Sequence, residues 1–114
     1  MNAPALQPVG PDVSVGPQLE PAAMAWVAQS GFKSVINNRP DHEGGAAQPT
    51  SAVLEAAAIA AGLVYVHLPV QPALQTPAEV ASFAALLERL PKPVLAFCRT
   101  GTRSGKLYRA AMGG

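Results

Sequence analysis

The sequence predicts an α/β fold: a mainly parallel sheet of four to five strands with helices on both faces. Three observations carry this. Short apolar runs of strand length alternate with helix signals along the whole chain, which implies right-handed crossovers and a covered parallel sheet. Thr76-Pro77-Ala78-Glu79 is a capping box with proline at the first helical position. The run Val94-Leu95-Ala96-Phe97 has the length and composition of a buried strand. It stops at Cys98, the only cysteine, and a glycine-containing loop leads from there into a helix read as Gly105 to Met112.

With 114 residues there is room for one domain and one substantial core. Almost half the residues are apolar (49%) but only 5% are aromatic. Alanine supplies much of the difference, so the helices are expected to pack closely. A net charge of +1 gives no reason to expect a nucleic-acid or membrane-surface partner. One cysteine cannot close an internal disulfide, which fits a reducing compartment. No stretch reaches transmembrane length and the start lacks the basic and apolar regions of a signal peptide, so the default location is the cytoplasm.

Residues 1–11, rich in proline and alanine without periodicity, read as a flexible arm before a single catalytic domain over 12–114. Asp12 to Val15 is a short strand ending at Gly16-Pro17, and its brevity suits a sheet edge. Glu20-Pro21 opens a helix with Ala23, Met24, Val27 and Ala28 on its buried stripe, Trp26 at its edge and Gly31 as its cap. Lys33 to Asn37 is the second strand. The following loop, 38–49, holds Arg39, Asp41, His42 and Glu43 beside Gly44-Gly45. Such a cluster is usually a solvated turn. In a parallel sheet, however, it leaves the same carboxyl edge as Cys98, where ligands of α/β folds bind. Arg39, Asp41 and His42 are therefore second-rank site candidates.

Thr50 to Ala61 is an alanine-rich helix capped by Thr50 or Ser51 and closed by Gly62. Val64 to Leu68 is the third strand, stopped by Pro69. His67 alternates with Val66 and Leu68 and reads as a satisfied sheet-face histidine, not a catalytic one. Gln71 to Gln75 forms a second loop on the carboxyl edge. The helix opened by Thr76 buries Val80, Phe83, Ala84, Leu87 and Leu90, and Pro91-Lys92-Pro93 ends it.

The Cys98 loop has a chemical consequence. Loop N–H groups and a helix N-terminus make a cradle for an anion. The same field, with Arg99 and Arg103 close by, favours a thiolate at Cys98. A lone cysteine is more often an inert buried thiol. Two arginines and a glycine within five residues of it, at a strand-to-helix turn, favour the nucleophile.

Cys98-Arg99-Thr100-Gly101-Thr102-Arg103-Ser104 resembles two known loops. One is the active loop of rhodanese-type sulfurtransferases, whose cysteine carries a persulfide; the other is the signature loop of cysteine-dependent phosphatases. Together with Ser34 to Asp41 and Gly62 to Val70, it makes the chain from Val13 to Ala111 resemble the DUF442 family, the beta-lactamase hydrolase-like, phosphatase-like domain. That resemblance implies the three-layer sandwich common to cysteine phosphatases and rhodaneses. It also implies a functional link to metallo-β-lactamase-fold persulfide dioxygenases, to which related domains are fused. The last helix, ending at Gly113-Gly114, is short for the family, so a truncated or normally fused domain is expected.

Two counts separate the reactions. The phosphatase pattern puts its arginine six positions after the cysteine, which here is Ser104; Arg103 lies five positions after Cys98, and Arg99 directly follows it, as in the rhodanese loop. Phosphatases of this type also place an aspartate acid on a loop before the cysteine strand. Residues 44–97 contain no aspartate, and Glu55, Glu79 and Glu88 fall on helices. Thiosulfate releases sulfite, which needs an acid much less.

The expected function is thus a thiosulfate sulfurtransferase. Cys98 takes sulfane sulfur from thiosulfate or a persulfide donor, carries it as a persulfide and yields it to a thiol acceptor such as glutathione. Arg99 and Arg103 hold the sulfonate. The amides of Thr100, Gly101, Thr102 and Ser104 stabilise the charged sulfur, and the Thr102 and Ser104 hydroxyls donate to the thiolate. No metal or organic cofactor is expected, because no Cys/His ligand spacing exists to hold a metal. The alternatives are a cysteine-dependent phosphatase working through phosphocysteine at Cys98 and a non-catalytic anion-binding module.

Overall fold

A computed structural model of the chain describes residues 5–73 and 75–113. It has five strands, β1 (Gln7–Gly10), β2 (Val13–Gly16), β3 (Ser34–Asn37), β4 (Val64–His67) and β5 (Val94–Phe97). Four α-helices, α1 (Met24–Gln29), α2 (Ser51–Ala60), α3 (Pro77–Arg89) and α4 (Thr102–Ala111), connect or follow them, and short 3₁₀ turns precede α1 and α2. The sheet order is β1-β2-β5-β3-β4. β2, β5, β3 and β4 run parallel and only β1 is antiparallel.

β5 lies at the centre, flanked on both sides by parallel neighbours. A strand so placed has no solvent face, which is why Val94 to Phe97 read as an unbroken apolar run. All four residues are fully buried, and they alternate between two cores. Val94 and Ala96 join Ile36, Phe83, Leu86, Leu87 and Leu107 beneath α3 and α4. Leu95 and Phe97 join Leu19, Met24, Val27, Val35 and Leu54 beneath α1 and α2. The strand period of two thus builds the three-layer sandwich: each residue of β5 feeds one layer and its neighbour the other.

The helix signals are realised closely. In α3 the Thr76 hydroxyl accepts from the Glu79 amide at 3.1 Å and the Glu79 carboxylate accepts from the Thr76 amide at 2.8 Å. Thr50 is the N-cap of α2, and Gly31 and Gly62, both at positive φ, follow α1 and α2.

Three expectations are corrected. Residues 7–10, assigned to a flexible arm, form β1 on the free side of β2. β2 is consequently an inner strand and not an edge. A proline at position 8 and a register shift between Pro8 and Gly10 hid β1 from periodicity, and both are features that edge strands tolerate. Finally, α4 begins at Thr102, three residues before Gly105, so Arg103 and Ser104 belong to its first turn. Among the described residues no helix is long and apolar enough to cross a membrane.

These packing relations predict an ordering of stabilities. Phe83 is fully buried, and Phe83→Ala should cost about 3–5 kcal/mol from lost transfer energy and the cavity left behind. Thr76→Ala, which removes an exposed cap, should cost only about 1 kcal/mol. Urea titration of both variants checks this, and equal losses would mean that α3 is not held chiefly by its buried face.

Candidate active site

β5 delivers Cys98 to the carboxyl edge of the sheet, next to the crossing point where β2 and β3 lie on either side of it. The Cys98 amide donates to the Gly16 carbonyl at 3.3 Å, which continues the sheet pairing for one residue. The chain then turns back so that the Gly101 amide donates to Cys98 Sγ at 3.0 Å. Gly101 has φ +95°, and a Cβ there would come within 3.3 Å of the Gly16 backbone. Both the conformation and the close approach require glycine. The amides of Arg99, Thr100, Arg103 and Ser104 find no acceptor among the described residues. Arg99 and Thr100 belong to the loop and Arg103 and Ser104 to the first turn of the ten-residue helix α4, where backbone N–H groups lack intrahelical acceptors.

Cys98 itself is only 1% exposed, yet it lines a cavity of about 180 Å³ with Pro72, Arg99, Thr100, Thr102, Arg103 and Lys106. A larger cavity of about 580 Å³ shares Pro72, Arg99 and Arg103 with it and is completed by Arg39, Glu43 and Gly44.

Of the three shared residues Arg103 is the buried one, 8% exposed. Its Nη1 donates to the Val70 carbonyl at 3.0 Å and sits 3.0 Å from Glu43 Oε2, while Nη2 donates to Glu43 Oε1 at 3.1 Å. Its Nε has no hydrogen-bond partner among the described residues. Arg39 reaches the same carboxylate from the other side, Nε to Glu43 Oε1 at 2.8 Å, and its Nη1 donates to Gln18 Oε1 at 3.0 Å. Burial on its own would raise the Glu43 carboxyl. Hydrogen bonds from Arg103 and Arg39, with the two positive charges, outweigh it and hold the group below its ordinary value.

The remaining candidates separate into those near the cysteine and those used for bracing. Arg99 is exposed and lines both cavities, and Thr100 and Thr102 line the smaller one. The Thr100 hydroxyl donates to that of Thr102 at 3.2 Å. Ser104 is fully buried and its hydroxyl donates to Asn38 Oδ1 at 2.8 Å, so its proposed donation to the thiolate is not made. Asn38 in turn donates to the Leu68 carbonyl at 3.0 Å, tying α4 to the ends of β3 and β4.

Asp41 is engaged elsewhere. Its Oδ1 accepts from the Ser51 amide at 2.7 Å at the start of α2, and it lines neither cavity. His42 is exposed at φ +69° and also lines neither. Of the second-rank candidates only Arg39 belongs to the site. His67 Nε2 donates to the Arg39 carbonyl at 2.8 Å, the satisfied role expected of it. Glu43 was passed over in favour of its neighbours Asp41 and His42. The signal for it is charge balance: arginines gathered on one edge need a carboxylate among them. Among the described residues no group of three or more His, Cys, Asp or Glu could hold a metal ion.

Comparison with known proteins places this geometry. Residues 5–113 match the family model described as "Beta-lactamase hydrolase-like protein, phosphatase-like domain". The Beta-lactamase hydrolase-like protein of Agrobacterium fabrum is 39% identical over 82 residues, which are 72% of this chain and 19% of that protein. The chain therefore spans about a fifth of the length of the curated relatives it matches (19%). A crystal structure from Neisseria meningitidis, of a protein described as a candidate phosphatase, superposes with TM-score 0.85 at 36% identity, over 95% of this chain and 78% of that one. P. aeruginosa TpbA, solved in complex with phosphotyrosine, shares the fold at TM-score 0.70 and 21% identity, over 96% of this chain and 64% of that one.

The Glu43 bridge makes a pH-dependent prediction. A carboxyl held lower in the folded state contributes stability that is complete above its ordinary value of 4.5 and is lost as pH falls through the folded-state value. Glu43→Gln should therefore lower stability by on the order of 1–3 kcal/mol at neutral pH, by weakening the acceptor for two buried guanidinium groups. The gap to the wild type should close as the pH drops below that value. Thermal melts from pH 7 to 3 test this, and a gap that stays constant would mean that the carboxylate charge contributes nothing.

Proposed function

The chain belongs to the family of the beta-lactamase hydrolase-like protein, phosphatase-like domain, and from that premise we propose that it is a cysteine-dependent phosphatase with Cys98 as nucleophile. One observation supports this most directly: the buried Nε–H of Arg103, in a wall of the Cys98 cavity, has no acceptor. A buried donor without a partner costs about 1–3 kcal/mol, and an oxyanion bound beside the sulfur would supply the acceptor. The amides of Arg99, Thr100, Arg103 and Ser104, which find no acceptor among the described residues, are further donors available to such an oxyanion.

In this reading the phosphoryl group of a monoester docks on the amides and Arg103. Cys98 Sγ attacks phosphorus, an S–P bond forms and the P–O bond to the leaving group breaks. Water then attacks the phosphocysteine, releasing inorganic phosphate and restoring the thiolate. The Gly101 amide, already donating to Sγ, would stabilise the thiolate before attack and again as hydrolysis releases it. Glu43 is the carboxylate of the neighbouring cavity and is held ionised by its arginines, so it does not supply a proton to the leaving oxygen. Substrates whose leaving group departs readily as an anion are favoured. A reducing compartment such as the cytoplasm suits an enzyme that needs its cysteine as a free thiol.

Sulfur transfer is the second reading, and one feature specifically favours it: Arg103 stands five positions after Cys98, in a cavity whose described lining includes no Asp or Glu. Thiosulfate would then be cleaved at its S–S bond, leaving a Cys98 persulfide and sulfite, and a thiol such as glutathione would accept the sulfur. A persulfide dioxygenase would be the natural functional partner of that activity.

The readings separate in one set of measurements. Cys98→Ser should abolish turnover in either case while the fold persists. Aryl phosphate should be hydrolysed by the wild type, and mass spectrometry of quenched enzyme should find phosphate on Cys98. Arg103→Lys keeps a charge for Glu43 but loses the Nε–H, and should lower kcat/KM roughly ten- to a hundred-fold for about 1.5–3 kcal/mol of lost contact. If the enzyme instead gains one sulfur from thiosulfate and leaves aryl phosphate intact, the phosphatase reading is wrong and sulfur transfer takes its place.

A further inference from the structure

The larger cavity beside the Cys98 pocket is built differently from the pocket itself. Its lining contains Arg39, Arg99 and Arg103 against one carboxylate, Glu43, a formal excess of two positive charges (three minus one). Glu43 is satisfied by Arg39 and Arg103. That leaves the cavity with cationic capacity that nothing in the protein uses. Arg99 makes no side-chain hydrogen bond or ion pair among the described residues, and the Arg103 Nε–H is unpartnered. Arg39 is 8% exposed and anchored through Nε and Nη1, with Nη2 beside Gly44. A fixed guanidinium with donors to spare is suited to a carboxylate or phosphate and loses little freedom on binding it.

We propose that this cavity is a second anion subsite, and that the substrate is a small organic phosphate bearing a second acidic group on its leaving-group side. The proposal rests on the Cys98 pocket being the site of the reacting phosphoryl group. Pro72, Arg99 and Arg103 are common to the two cavities, so one molecule can span them. The second group lies toward Arg39 and Gly44, which border only the larger space. Gly44 matters because an added Cβ would fall 2.6 Å from Arg39 Nη2. The backbone of Gly44, at φ −97°, accepts a side chain, so Gly44→Ala would press on the Arg39 guanidinium and the Gln48 carboxamide without straining its own backbone.

The test measures binding to Cys98→Ser by calorimetry, with a pair of ligands matched in length. Carboxyethyl phosphate should bind ten- to a hundred-fold more tightly than propyl phosphate, the gain expected of one charge-assisted contact. Propanediol bisphosphate, with phosphate in place of carboxylate, shows which acid the subsite prefers. Gly44→Ala should reduce the preference to within about threefold and leave propyl phosphate binding unchanged. Arg39→Gln should reduce the preference as well, read as the ratio of the two ligands within that variant because Arg39 also braces Glu43. Arg109→Ala, on the far side of the loop beyond Gly105, should leave the preference intact. Equal affinity for the matched pair would overturn the subsite. So would a preference that survives Gly44→Ala, or one lost in Arg109→Ala, which would mark a general field and not a built site. If the wild type hydrolyses no phosphate ester but the preference behaves as described, the phosphatase reading falls and the subsite stands.

Discussion

The carboxyl edge of this sheet depends on one carboxylate. Arg39 follows β3 and Arg103 lies in the first turn of α4, and both side chains are almost wholly buried. Two guanidinium groups in so small a volume would repel each other and lack solvent. Glu43 accepts from both at 2.8–3.1 Å, and Val70 and Gln18 take two more of their donors. Asn38 repeats the connection one layer deeper through Ser104 and Leu68. The position of the loop around Cys98 is thereby set by contacts from β3 and from the segment after β4. Local preference alone would not fix it.

This explains which parts of the molecule were legible in the sequence. The strand–helix alternation, the capping box at Thr76 and the place of Cys98 at the carboxyl end of a strand are all local patterns, and each is present in the structure. β1 was not legible, because an edge strand of four residues with a proline carries no periodicity and is specified by its partner β2. The role of Ser104 was missed for a related reason. Its hydroxyl faces Asn38, sixty-six residues away in the chain, and no spacing rule reports a contact of that kind. Asp41 and Glu43 are chemically alike and two residues apart, yet one caps α2 and the other holds two arginines. Which does which is decided by the path of the loop.

The register of Arg103 has a structural meaning in the same terms. One residue on a helix turns a side chain by about 100°, so an arginine five positions after the cysteine points differently from one placed six after. Here the fifth position directs the two terminal nitrogens toward Glu43 and the Val70 carbonyl. Of the five N–H donors, Nε–H and one hydrogen of Nη2 are left for a ligand. On the proposed reading, the backbone amides would carry much of the anion binding, and they have no net charge and need no counterion to be buried.

That division of labour bears on the chemistry. A carboxylate that must stay ionised to hold two arginines cannot also serve as a reservoir of protons, since protonating it would dismantle the edge that supports the loop. On the proposed reading, the site has a cationic wall in place of a general acid. Such a wall lowers the cost of charge building on a leaving group without moving a proton, provided the leaving group lies against it. The larger cavity is where a leaving group would lie. The electrostatics that stabilise the loop and those that would assist departure are thus the same interaction, seen first from the protein and then from the substrate.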